Sequence, residues 1–143
     1  MQEVAFAQIC EEEGVVPVPI LSNLKDSVLN LDNYSMNAGI CKALGKCFEH
    51  HSTGIRKVWL IENNISDESL SIVIDGISNS QTIESLVIWS NKIYEHSVNS
   101  LQKLIDSKNN TENGIKELSL KNCESRSTEI NIFIKSLQNN KTI

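Results

Sequence analysis

Three histidines and four cysteines are the side chains of this 143-residue chain with the widest chemical repertoire. His50 and His51 stand shortly after Cys47, a grouping that raises the question of a metal. Zinc takes four ligands, three of them from protein even in an open catalytic site, and this neighbourhood offers none beyond those. His96 has no serine- or cysteine-based nucleophilic motif beside it, so general-base work has nothing to activate. Cys10, Cys41, Cys47 and Cys123 form no CxxC pair and are too scattered for a disulfide or zinc framework. They read as small buried hydrophobes. The acidic run Glu11-Glu12-Glu13 reads as a solvated helix end. No GxGxxG, P-loop or GxSxG appears, and the carboxylates are not paired by spacing for glycosidase or protease chemistry. The expectation is a protein with no catalytic residue, no metal and no cofactor.

What remains is binding. The chain has two tryptophans, Trp59 and Trp89, and their value depends on the elements that carry them. Forty per cent hydrophobic and 22% charged residues are an ordinary globular composition. The net charge of −5 argues against gripping nucleic acid, which needs a basic face. Met1 to Cys10 lacks the basic start and apolar run of a signal peptide. The longest apolar stretch, Val15 to Leu21, carries two prolines and is too short to span a bilayer. The expected setting is cytoplasmic, without membrane or nucleic acid. The sequons beginning at Asn33, Asn64 and Asn109 are expected by chance in so asparagine-rich a chain.

The positions repeat. Ile55, Val58, Leu60, Asn63 and Ile65 align with Ile83, Leu86, Ile88, Asn91 and Ile93 at a shift of 28 residues. A third copy runs Ile115, Leu118, Leu120 and Cys123 after a four-residue insertion that includes Asn109, Asn110 and Thr111, and only Ser125 departs from the pattern. The second half of each unit repeats too: Leu70, Val73 and Ile77, then Val98, Leu101 and Ile105, then Ile130, Phe133 and Leu137. A spacing of three and four is the apolar stripe of an amphipathic helix. Each unit therefore predicts a short strand, a turn and a helix. Alternate residues of the strand point to the core, and the asparagine satisfies backbone groups where the chain turns away.

The pattern IxxLxLxxN or IxxLxLxxC followed by a helix is a leucine-rich-repeat signature. At this length it resembles the ribonuclease-inhibitor-like class over residues 26–143. The fold this implies is α/β, a right-handed solenoid with parallel strands on a concave face and helices on a convex one. Residues 26–54 form a degenerate first repeat, with Leu29 and Leu31 in the strand, Tyr34 in place of the asparagine, and Ile40, Leu44 and Phe48 in the helix. Repeats 55–82, 83–114 and 115–142 follow. Residues 1–25 are expected to be a helical cap, with Val4, Phe6, Ile9 and Cys10 on one apolar side and Gly14 and the Val16–Pro19 stretch ending it. The run from Cys10 to Pro19 is similar to the N-terminal caps of leucine-rich-repeat proteins of cilia and centrosomes. At the other end, Lys141-Thr142-Ile143 echoes Gln81-Thr82-Ile83, which predicts a chain truncated within a longer array.

On such a sheet the residues between the core positions face out. Trp59, Ile61, Val87 and Trp89 should cluster there, flanked by Lys57 and Lys121, on strands about 4.8 Å apart. Tryptophans on a solvent face mark a protein-binding hot spot. The expected function is non-enzymatic protein–protein recognition within a larger complex, its most specific version a cytoskeletal, ciliary or centrosomal scaffold. Two alternatives remain: a regulator of an enzyme, such as a GTPase activator or inhibitor, and a segment whose tryptophans pack against the rest of a longer polypeptide.

Overall fold

The computed structural model describes residues 3–107 and 112–138. The insertion at Asn109–Thr111, with its sequon, and the Lys141–Ile143 echo lie outside the described residues. Helix α1 spans Glu3–Glu12, and a 3-10 turn at Ile20–Asn23 leads into strand β1, Leu24–Lys25. Strand and helix then alternate: β2 Val28–Asn30, α2 Ala38–His51, β3 Lys57–Ile61, α3 Asp67–Asn79, β4 Ser85–Trp89, α4 Glu95–Ser107, β5 Glu117–Lys121 and α5 Ser127–Gln138. Among the described residues five strands form one sheet, in sequence order.

The expected right-handed leucine-rich-repeat solenoid is corrected here. The described residues form a small α/β domain with five α-helices and a mostly parallel sheet. Its first strand pair, β1 with β2, is antiparallel. Three strand–helix–strand crossovers join β2 to β5, all parallel. The physical reason is the chain around residue 26. Asp26 and Ser27 both take positive φ, 52° and 65°, and turn the chain back on itself, where a repeat would have fed β2 through a helix.

The strand residues expected in the core are there. Leu29, Val58, Leu60, Leu86 and Ile88 are fully buried against Leu44, Phe48, Leu70, Val73, Ile77 and Leu101. Helices α2 and α3 begin on side-chain caps of their own. Asn37 Oδ1 accepts from the Ile40 amide at 2.9 Å, and Ser66 Oγ accepts from Ser69 at 3.3 Å. The N-terminal end of α4 is capped from the neighbouring unit. The Asp67 carboxylate accepts from the backbone amides of Tyr94 (2.8 Å), His96 (2.8 Å) and Ser97 (3.1 Å). His96 therefore sits in the first turn of α4.

Partial burial pushes the Asp67 carboxyl up, but Ser97 and the three amides overrule it and hold it below the ordinary aspartate range. A depressed folded value means stability that is present above the unfolded value of about pH 3.9 and drains as pH falls through the folded one. Asp67→Ala is expected to lose about 1 kcal/mol near neutral pH. The deficit should shrink toward zero in urea titrations run at progressively lower pH. A deficit that stays constant with pH would show that the charge is not what caps the helix.

At the N-terminus the apolar side of α1 is Ala5, Phe6 and Cys10, with Ile9 half-buried. Val4 is 69% exposed, because it lies on the opposite side of the helix from that stripe. Glu13 is not a solvated helix end. Its carboxylate lies between Lys42 (2.7 Å) and Lys46 and ties α1 to α2. Those two ammonium groups favour its charged form and hold its pKa below the usual carboxylate range.

The third helix stripe departs from expectation in the other direction. Ile130 is 43% exposed, and Phe133 and Leu137 are only half-buried. Their equivalents in α3 and α4 are buried between two neighbouring helices, whereas α5 has α4 on one side and no described element on the other.

Candidate functional site

The side-chain column just past each strand explains how the outward face is held. Asn33, Glu62, Ser90 and Asn122 take left-handed backbone, with φ between 51° and 56°. The chain thereby bends away from the sheet at the same point in every unit. The residues that follow close that bend. Asn63 Nδ2 donates to the Leu31 and Ile61 carbonyls, and its Oδ1 accepts from the Tyr34 amide at 2.8 Å. Asn91 Nδ2 donates to the Leu60 and Trp89 carbonyls at 2.8 and 3.0 Å. Cys123 takes the same place, its thiol donating to the Ile88 carbonyl at 3.2 Å. The bends set the ends of β3 and β4, and so the register of the tryptophans.

In that register Trp59 lies opposite Val87, and Ile61 opposite Trp89. The four side chains meet as the strand alternation requires, on the side of the sheet away from the helices. They line a shallow hollow of about 240 Å³ together with Lys57, Glu117 and Ser119. Trp59, Ile61 and Trp89 are half-buried, whereas Val87 is only 6% exposed. Val87 is the floor of the patch and not part of its accessible surface, set between Trp59 on β3 and Ser119 on β5.

Trp89 is fixed from two sides. Its indole N–H donates to Ser119 Oγ at 3.1 Å, and the Lys121 ammonium lies 5.0 Å from the ring centroid. Lys57, half-buried on the other flank, reaches across β4 to Glu117 at 3.4 Å. Ser85 Oγ donates to the same carboxylate at 2.9 Å. The Ser85 hydroxyl and then Lys57 hold Glu117 below the ordinary glutamate range. Glu117 and Ser119 belong to the site but not to the expected set. Their signal was in the columns, where Glu117 shares the outward position of Lys57 and Ser85 and carries the charge opposite to Lys57. A second charged fork lies at the strand starts, where Glu84 sits between Lys116 (2.7 Å) and Arg56 (3.5 Å).

The titratable residues considered for chemistry lie apart from this face. His50 and His51 are exposed at the end of α2, and His96 is exposed on α4 near Glu68 (3.9 Å). No group of three His, Cys, Asp or Glu side chains arranged to hold a metal lies among the described residues. Cys10, Cys41 and Cys47 are buried, and Cys123 half-buried. Burial pushes the Cys41 and Cys47 thiols up to about 12, so both are protonated near neutral pH and poor nucleophiles. No helix among the described residues is long and apolar enough to cross a membrane.

No family model and no curated protein matches the chain. Among solved structures the chain is similar to Leiomodin-1 Actin-Binding Site 2, at 17% identity and a TM-score of 0.69. The match covers 96% of this chain and 75% of that one. At this identity the likeness speaks for the fold. It is a likeness to a small α/β domain, and it replaces the expectation of a solenoid.

Proposed function

We propose that the chain is a non-enzymatic protein-binding module that takes its partner on the sheet face of Trp59, Ile61, Val87 and Trp89, within a cytoskeletal assembly. The observation that carries this reading is the state of Trp89. It is half-exposed yet already fixed by Ser119 and Lys121, so little side-chain freedom is left to lose when a partner covers it. The apolar centre with Lys57, Glu117 and Lys121 at its edge has the layout of an interface, with aromatic anchors inside and charges outside. The solved structure of similar fold is by its name an actin-binding site, which makes actin the first partner to test. A ciliary or centrosomal setting is a finer version of the same reading and rests on the resemblance of the Cys10–Pro19 segment.

The test is co-sedimentation of the purified chain with actin filaments, together with Trp59→Ala and Trp89→Ala variants shown to be folded by circular dichroism. The parent is expected to pellet with filaments. Each variant should bind at least ~30-fold more weakly, the effect of losing a hot-spot anchor worth about 2 kcal/mol. A parent that stays in the supernatant removes actin as the partner. Folded variants that pellet like the parent remove this face as the site.

A further inference from the structure

We propose that β5 pairs antiparallel with β5 of a second copy of this chain, about a two-fold axis through Ser119. The end of the domain that carries β5 is unfinished. β5 is the last strand of the sheet among the described residues. Leu118 and Leu120, which occupy core positions, are half-buried where their equivalents in β3 and β4 are fully buried. Ile130 and Ile134, one turn apart on α5, are 43% and 48% exposed. A cavity of about 280 Å³ between α4, β5 and α5 is lined by Leu101, Leu120, Cys123 and Phe133 among others. An apolar end of this kind is completed by something.

The occupant is argued from the order of residues in the edge strand. β5 reads Glu117-Leu118-Ser119-Leu120-Lys121, a segment whose charges are complementary to its own reverse. The Glu117 amide donates to the Glu84 carbonyl, and the Lys121 carbonyl accepts from Ser90. Residues 117, 119 and 121 therefore turn their backbone groups toward β4, and Leu118 and Leu120 turn theirs outward. An antiparallel partner must place outward-pointing residues opposite each other. The register centred on Ser119 sets Leu118 opposite Leu120 of the second copy, twice, so both pairs exchange two hydrogen bonds. The same register sets Glu117 opposite Lys121 of the second copy at both ends, at the closer, non-hydrogen-bonded spacing where side chains interact most.

Charges on an edge strand ordinarily keep edges apart. Here a parallel second copy in register would set like charges side by side, while an antiparallel one satisfies both. The two-fold axis stands perpendicular to the sheet, so helices fall on the same side in both copies. Ile130 and Ile134 can then close over the leucines of the extended sheet. Such an interface is self-complementary, as a two-fold contact requires.

The test is sedimentation velocity of the full 143-residue chain across a concentration series, with three variants confirmed as folded by circular dichroism. The parent is expected to move from monomer to dimer as concentration rises. Lys121→Glu and Glu117→Lys each oppose like charges at both ends and should raise the dimer dissociation constant by ~tenfold or more. The double variant Glu117→Lys/Lys121→Glu restores opposite charges and should restore the dimer. A parent that stays monomeric throughout overturns the proposal and leaves that end to another segment or another protein. Single variants that dimerise like the parent, or a double variant that fails to recover, overturn it equally.

Discussion

Gly76→Ala is expected to lower the unfolding free energy by about 2 kcal/mol, although alanine is the better helix former. The gain in helix propensity is about 1 kcal/mol. Against it stands the crossing of α2 and α3, where a Cβ on Gly76 would lie 2.2 Å from the Gly45 carbonyl oxygen, 2.6 Å from its Cα and 2.7 Å from its carbonyl carbon. All three are backbone atoms inside a helix, so the strain cannot be relieved by a rotamer change. The two helices must move apart, and overpacking of a well-filled interior costs about 1–3 kcal/mol, more where backbone has to shift. Gly45→Ala should be milder, because its Cβ would meet the Ile72 carbonyl oxygen at 2.8 Å. Gly39→Ala is the useful control. Its nearest obstacle is the Val15 side-chain tip on the half-buried N-terminal segment, which can swing away. Urea unfolding of the three variants should rank Gly76→Ala as the most damaging by a clear margin. A Gly76→Ala protein as stable as the parent would mean that the helices do not cross this closely.

Asn63→Cys and Asn91→Cys form the second expectation, a pair that looks equivalent in sequence and should not be equivalent in energy. The structure already accepts cysteine at this position, in Cys123. A thiol can replace the donor half of the amide but offers little as an acceptor. Asn91 uses only its donor half, since its Oδ1 is buried without a hydrogen-bond partner among the described residues. Asn91→Cys should therefore cost no more than about 1 kcal/mol. Asn63 also accepts from the part-buried Tyr34 amide, and Asn63→Cys would leave that N–H unsatisfied, at about 2–3 kcal/mol in all. The comparison is made by equilibrium unfolding in urea with equal m-values. Equal losses at the two sites would refute the claim that the Tyr34 bond distinguishes them.

These two cases divide what could be read in advance from what could not. The strand and helix positions were legible because two simple periods, two and 3.6, leave their mark on any chain that buries one face of each element. Leu29, Val58, Leu60, Leu86 and Ile88 were placed in the core by that rule alone. So was the meeting of Trp59, Ile61, Val87 and Trp89, since a shift of 28 residues between parallel strands brings like positions side by side. The asparagine bends were legible for a similar reason: a short amide at a strand end has few other uses.

Tertiary structure alone decided the rest, wherever the outcome depends on a neighbour distant in sequence. Two glycines within helices look like defects until α2 and α3 are seen to cross at them. Glu13 looks like a solvated charge until α1 is laid against Lys42 and Lys46. The hairpin of β1 on β2 was hidden because two residues in left-handed backbone, Asp26 and Ser27, have no periodic signature. That hairpin gives the sheet an antiparallel start where the repeat pattern had implied parallel strands alone. The repeat specifies how each unit contacts the next. How a succession of units begins is settled by local backbone geometry and by which surfaces find cover, and neither is written in the period.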